Sequence, residues 1–531
     1  MKRKTHLLEK GIRWMLTGTL VLSAFGFTVA AESAATVYAP PSAFSSYTYT
    51  YWGKAVACPN PYTVEKIVTG MDLGLGDFKK PNDLFADAAG FLYLAVSGDS
   101  AEDNRVVKLD KQLQVVQSWS GYTNEQGEIT PFSEPLGVFV TPEGMIYVAD
   151  GTSKQIVHMD AQGQLVRLIA APSHEDSAII DADFVERYRP SKLIVDSSGR
   201  IHVVAINVNE GIVEFDPDGV FEGFLAAGKV NANPIEIMWK KLSTQAQLER
   251  MSDFVPIEYN NISLDDEDFV FATSSAIDES VVLSEIRSGK GTENGALVRR
   301  LNMLGKDILR RKGFGPPVGD YDIQDTVNNL DAAYTGISRL VDVSNAADGV
   351  YTVLDSNRNR LFTYDGEGNL LYAFGGSDVT AGGFRTPNSL AQIDNFLYVL
   401  DSNTRAITML RRTTFGDTVA AAIAYQESGD YHASAVEWQK VLDQNANYDL
   451  AYTGLGKAAY REKEYIKAME MFELGSNREW YSRAYKEHRK GLVAQWFAPC
   501  AIAVAILAIA ILLARYIPRL YKRRRRQGTE E

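Results

Sequence analysis

The sequence predicts a multidomain chain: an all-β six-bladed propeller, then a short all-α region, then a C-terminal transmembrane helix. Three observations carry this. A unit built from a Pro-led apolar strand, an Asp or Gly turn, a Tyr-Val-x-Asp strand and an Arg-led strand recurs in residues 80–119, 134–169, 189–225, 257–311, 336–374 and 386–412. Self-similarity at that period, with four short strands per unit, is the signature of blades arranged around an axis. Past residue 414 the apolar spacing becomes helical. Residues 497–514 are almost wholly apolar and approach the length of a bilayer span.

Taken in order, residues 1–31 carry Lys2, Arg3, Lys4, Lys10 and Arg13 ahead of an apolar run ending Val29-Ala30-Ala31, which reads as a signal peptide or an uncleaved anchor. Residues 32–61 form a lead segment rich in Pro, Ser and Tyr. Its Tyr47, Tyr49 and Tyr51 share one face of an extended strand, either as core packing or as an aromatic strap or partner patch. The propeller occupies residues 62–414. Its sixth copy runs from Arg411, Arg412 and Thr413 straight into a helical pattern, with no outer strand of its own. Residues 62–70 have the register of a fourth strand lacking the first three. They are expected to lie beside residues 407–410, closing the ring and removing an exposed edge. The fourth copy is degenerate: Tyr259-Asn260-Asn261 replaces its Pro-led start, and an excursion to Gly295 splits it. Residues 233–251, with Ile235, Ile237, Met238, Leu242 and Leu248, read as an amphipathic helix, either a lid on the channel or padding between blades.

The stretches Tyr147-Val148-Ala149-Asp150, Thr352-Val353-Leu354-Asp355 leading to Arg360, and Tyr398-Val399-Leu400-Asp401 leading to Arg405 resemble the repeats of NHL propellers, over residues 62–412. Gly90, Gly144, Gly199 and Gly349 stand before the second strands, where a tight turn favours positive φ. Residues 415–478 resemble two tetratricopeptide (TPR) repeats. Tyr452, Leu455, Gly456, Ala459, Ala468, Phe472 and Gly475 match the core positions of the second, and Tyr425, Tyr431, Ser434, Trp438 and Val441 those of the first. The resemblance implies a groove containing Tyr425, Trp438 and Tyr452. A helix over residues 479–495 is expected to cap the repeats and to run into a span at 496–517, unless Pro499 breaks it. Residues 518–531 form a basic tail.

Charge narrows the partners. The chain carries −13, but residues 32–514 alone carry −22. Such a surface argues against nucleic acid and is compatible with cations, basic proteins or neutral sugars. Arg515, Arg519, Lys522 and Arg523 to Arg526 follow the apolar run. The positive-inside rule places them in the cytoplasm and the bulk of the chain outside, at the cell membrane. Cys58 and Cys500 are the two cysteines, and Cys500 falls in the apolar run, so no intrachain disulfide is expected.

Catalytic signatures are sparse. No Gly-x-Ser-x-Gly elbow, phosphate loop or zinc-protease helix occurs, and no His or Cys pair has ligand spacing. Asn82, Asp83, Asn261 and Asn388, with Arg339, fall near the starts of inner strands. There they form a candidate binding site at the channel mouth, able to offer oxygens to a divalent cation, or else they satisfy backbone amides. Asp150, Asp355 and Asp401, each followed by Lys154, Arg360 or Arg405, repeat too often for a single active site and read as a buckle between blades. No cofactor is expected beyond such a cation. Together these readings favour a non-enzymatic, membrane-anchored binding or scaffold protein for protein or carbohydrate. The NHL resemblance implies a place beside a sugar-import transporter. The alternatives are a divalent-cation-dependent hydrolase or lyase, gluconolactonase-like, and a sensor that signals through the span.

Overall fold

The computed structural model describes residues 46–527 apart from 178, 181–182, 227–257, 275–276, 289–294, 314, 321–335 and 378–382. The N-terminal leader and the helix expected at 233–251 lie outside the described residues. Six antiparallel sheets form the blades of one propeller. Their inner strands are Lys80–Ala86, Pro135–Val140, Arg189–Val195, Tyr259–Leu264, Leu340–Asn345 and Pro387–Ile393. Each inner strand touches the next, and the sixth touches the first, so the ring is closed.

Burial follows position in the blade. The second strands Leu92–Ser97, Ile146–Asp150 and Tyr351–Asp355 are buried throughout, because neighbouring blades cover both of their faces. The outer strand Val115–Trp119 is exposed except for Trp119. Aromatic contacts join the blades: Phe85 meets Phe139 at 4.8 Å and Phe271 meets Tyr351 at 5.2 Å between ring centroids. The strand Tyr62–Thr69 pairs antiparallel with Ala406–Arg412, Val68 opposite Ile407 and Val64 opposite Leu410, which supplies the outer strand the sixth blade lacks. The fourth blade has three strands among the described residues, and the helix Glu279–Ser288 interrupts it between the second and third.

The lead segment adds to the fifth blade. Ser46–Tyr49 pairs with Leu370–Gly375, and Ala55–Cys58 pairs in turn with Ser46–Tyr49, giving a six-stranded sheet. Tyr49 is buried and its ring meets that of Tyr47 edge-on at 5.5 Å, while Trp52, at the tip of this hairpin, is 81% exposed.

Numbering the helices α1 (Phe184–Arg187) and α2 (Glu279–Ser288), the C-terminal region continues with α3 (Thr414–Glu427), α4 (Tyr431–Gln444), α5 (Asp449–Arg461), α6 (Tyr465–Leu474) and α7 (Arg478–Gln527). Thr413 and Asp430 cap α3 and α4 by accepting from Gly416 N and Ala433 N. Gly454 and Gly456 lie under the rings of Trp438 and Phe472, so close that a Cβ at either would collide, and this lets α5 approach both neighbours. The helices dock on the propeller. Phe415, Val419, Trp438 and Tyr448 share a core with Tyr62, Leu371 and Phe374, and the Tyr448 hydroxyl donates to Leu371 O. Helix α7 passes through Pro499 and Pro518 without interruption, and its exposed apolar stretch is long enough to cross a membrane.

Candidate functional site

One irregularity recurs in every blade. Each inner strand carries a bulge, between Pro81 and Asp83, Pro135 and Gly137, Pro190 and Lys192, Tyr259 and Asn261, Leu340 and Asp342, and Pro387 and Ser389. Bulges re-aim side chains and recur where a strand bends. Here they present one equivalent residue per blade around the axis: Asp83, Gly137, Lys192, Asn261, Asp342 and Ser389. A Cβ at Gly137 would stand 2.3 Å from Ser191 O, so the third blade's approach requires glycine there.

Four of them, Asp83, Lys192, Asp342 and Ser389, form a connected network. Lys192 Nζ makes an ion pair with Asp83 and donates to Asn82 O at 3.2 Å. Asp83 also accepts from Val138 N at 2.9 Å, and its carboxylate lies 3.2 Å from Ser389 Oγ, whose single proton is shared with Asp342. Asp342 accepts from Ser389 Oγ at 2.8 Å, Leu390 N at 2.6 Å and Val343 N at 2.7 Å. Burial pushes the Asp342 carboxyl up to about 7; the Asp83 charge adds to this and Lys192 opposes it. Asn261 turns its amide oxygen to Ile262 N at 2.7 Å. Asp83, Lys192, Asn261 and Asp342 line a cavity of about 220 Å³ whose other walls include Phe85, Phe139 and Ile194.

The expected channel-mouth residues therefore divide. Asp83 and Asn261 reach the cavity. Asn82 and Asn388 occupy the bulges themselves and bridge blades: Asn82 donates to Pro135 O at 2.9 Å, and Asn388 to Pro81 O at 3.0 Å. Asn260 repeats the contact to Leu340 O at 2.9 Å. Arg339 does not belong to the site. It is exposed, and its backbone N–H donates to Asp355 at 2.9 Å. The bulge of the fifth blade at Leu340 shows why: its inner strand starts later than the alignment on Gly336-Ile337-Ser338 implies. The buckle is also different from expectation. Asp401 accepts from the backbone of Arg385, Thr386, Asn403 and Thr404, while Arg405 pairs with Asp77.

The donor set at the axis does not fit a divalent cation. The Lys192 ammonium occupies the Asp83 carboxylate, the oxygens of Asp342 are taken by Ser389 and two backbone amides, and no cluster of His, Cys, Asp or Glu able to hold a metal occurs among the described residues. His158 stacks on Tyr147 at 4.1 Å, and His202 lies between Asp196 and Glu214 on the third blade; neither lines the axial cavity.

A second, larger cleft of about 1140 Å³ lies between the fifth blade with its added hairpin and helices α5 and α7. Trp52, Lys312 and Glu367 line one side, and Lys457, Arg461 and Trp480 the other. None of the three groove residues expected from the TPR resemblance lines it. Trp438 is buried, corrected from groove to core; Tyr452 is half-buried and donates to Ala446 O at 3.1 Å; Tyr425 is exposed elsewhere. Sequence spacing could have found the axial ring, because each of its residues falls two positions after a Pro, Tyr or Leu that is the first or second residue of an inner strand. Nothing local marks the cleft, since its walls come from segments hundreds of residues apart.

The strand order defines a six-bladed β-propeller followed by a helical region with one long apolar helix. Neither a protein-family model nor a curated protein matches this sequence. Among solved structures it is similar to virginiamycin B lyase from Staphylococcus aureus, at 10% identity and a TM-score of 0.39, over 66% of this chain and 100% of that one. It is also similar to the PQQ-bound aldose sugar dehydrogenase from Streptomyces coelicolor, at 12% identity and a TM-score of 0.35, over 66% and 97%. A Bacteroides thetaiotaomicron protein of unknown function matches at 11% identity and 0.38, over 69% and 76%. At such scores these likenesses carry no argument about chemistry.

Proposed function

We propose that this chain is a non-enzymatic, membrane-anchored binding protein, its propeller of NHL type and its helices of TPR type held outside the cytoplasm as a scaffold for protein or carbohydrate. The observation that supports this reading most is the axial ion pair: Lys192 neutralises Asp83 inside the channel, so the place where a propeller enzyme of this kind would hold a metal is filled by the protein's own cation. The resemblance to membrane-bound NHL proteins favours a transporter complex as the setting. Photo-crosslinking from the propeller and helix surfaces in native membranes tests it, alongside metal analysis of the purified full chain. A discrete crosslinked partner and substoichiometric metal are expected; a stoichiometric divalent ion that is lost in Asp83→Asn would refute the reading.

One observation favours the alternative of a hydrolase or lyase. Asp342 is a carboxyl with a raised pKa beside an internal cavity, and such groups are found at catalytic sites. The same metal analysis separates the two.

A further inference from the structure

The large cleft differs in charge from the rest of the molecule. Arg287, Lys312, Lys457, Arg461, Arg478 and Arg483 line it, against Glu367, Glu427 and Glu479, in a chain whose residues 32–514 carry −22. Glu367 is held by Arg310 at 2.6 Å, and Glu479 pairs with Arg483. Among the described residues, Arg287, Lys457, Arg461 and Arg478 enter no salt bridge. Aromatic rings fix several of these cations in place. Lys457 Nζ lies 5.6 Å and the Arg483 guanidinium 4.7 Å from the Trp480 ring, and the Arg461 guanidinium lies 5.0 Å from the Tyr431 ring. Trp480 is itself fixed, stacked on Phe472 at 5.8 Å and meeting Tyr460 edge-on at 5.7 Å. The cations are thus preorganised, which lowers the ordering cost of binding.

Deepening the binding role proposed above, we infer that this cleft receives a net-acidic, extended peptide segment of a partner protein. The positive excess selects an anionic ligand by electrostatic complementarity. Glu427, and the paired Glu367 and Glu479, stand among the six cations, so a ligand with uncharged or basic residues between its acids fits better than a uniform polyanion. Trp52, 81% exposed at the rim, supplies the kind of aromatic anchor that dominates protein interfaces.

The test uses the full chain in lipid nanodiscs and a phage-displayed library of random peptides of about 12 residues, about 40 Å when extended. Selected peptides are expected to be rich in Asp and Glu with uncharged or basic residues between them. The affinity of a synthetic copy should fall about tenfold or more in a Lys457→Glu/Arg461→Glu double variant. Trp52→Ala, at an exposed position that leaves the core untouched, should weaken it about threefold. Selection without acidic bias, affinity unchanged in both variants, or tighter binding of polyphosphate than of any selected peptide would each overturn the assignment. A failed selection beside a partner crosslinked elsewhere removes this cleft and leaves the binding role; a chain that traps no partner at all removes the role.

Discussion

Asp342 makes the stability of the propeller depend on pH in a calculable way. Its carboxyl moves from an ordinary 3.8 to about 7 because burial disfavours the charge, with Asp83 adding to the effect. The group is neutral in the folded chain over a range where the unfolded chain has already ionised it. Its contribution is therefore fully present below the unfolded value and is lost as pH rises through about 7. Roughly three units at 1.36 kcal/mol each give about 4 kcal/mol in total, more than half of it between about pH 5 and pH 8. Asp342→Asn removes that slope. The amide keeps an acceptor for Ser389 Oγ and Leu390 N, but turns a nitrogen toward Val343 N and loses about 1 kcal/mol at every pH. Thermal midpoints of the full chain in detergent should thus fall by roughly 2–3 °C more in the native protein than in the variant across that pH range, at about 2.1 cal/mol/K per residue. Parallel pH profiles for the two proteins would refute the assignment of a buried neutral carboxyl at the axis.

Further perturbations follow from other contacts. Asn82→Ala leaves Pro135 O without its inter-blade donor and should cost about 1–3 kcal/mol in urea unfolding, whereas an unchanged midpoint would make the bulge contact dispensable. Val68→Asp buries a charge where the closing strand meets Ile407, so a loss of about 3–5 kcal/mol and faster proteolytic release of residues 62–69 are expected. Burial alone would lower the pKa of His202, but the carboxylates of Asp196 and Glu214 outweigh it and hold the imidazole above its ordinary value. Its stabilisation is present at low pH and fades as pH rises through the raised pKa. His202→Gln in the Asp342→Asn background should flatten the residual slope of the midpoint against pH, and a slope that survives would show that His202 does not titrate with folding.

The strand pattern was legible because blades repeat, so that errors in one copy are corrected by the others. The missing outer strand after Arg412 and the orphan strand at Thr63 to Thr69 point to each other through register alone, and Val64 to Val68 stand beside Ile407 to Leu410. Asp83 and Asn261 were found for a sound reason, their place near the start of an inner strand. Lys192, Asp342 and Ser389 were missed because each residue type looked unlike the others, although the bulge gives all of them the same offset. Arg339 was misplaced by the weak fifth start, which has no proline to fix its register. The repeat resemblance gives Trp438 both a core position and a place in a groove; its burial keeps the first, and Gly454, which leaves room for the indole, marks it as core. The cleft depends on how the helices dock against the fifth blade through Tyr448 and Leu371, a long-range contact that no local pattern encodes.

The uninterrupted α7 sets a height. Its second and third residues, Glu479 and Trp480, line the cleft, and the apolar stretch begins near Trp496 of the same helix. At 1.5 Å per residue the intervening turns measure about 25 Å. A rod of that length acts as a gauge, fixing the clearance between the cationic cleft and the apolar belt. If α7 crosses a membrane and the cleft binds as proposed, a partner anchored in the same bilayer has to offer its acidic stretch at that elevation, and one whose stretch sits flush with the lipid cannot reach.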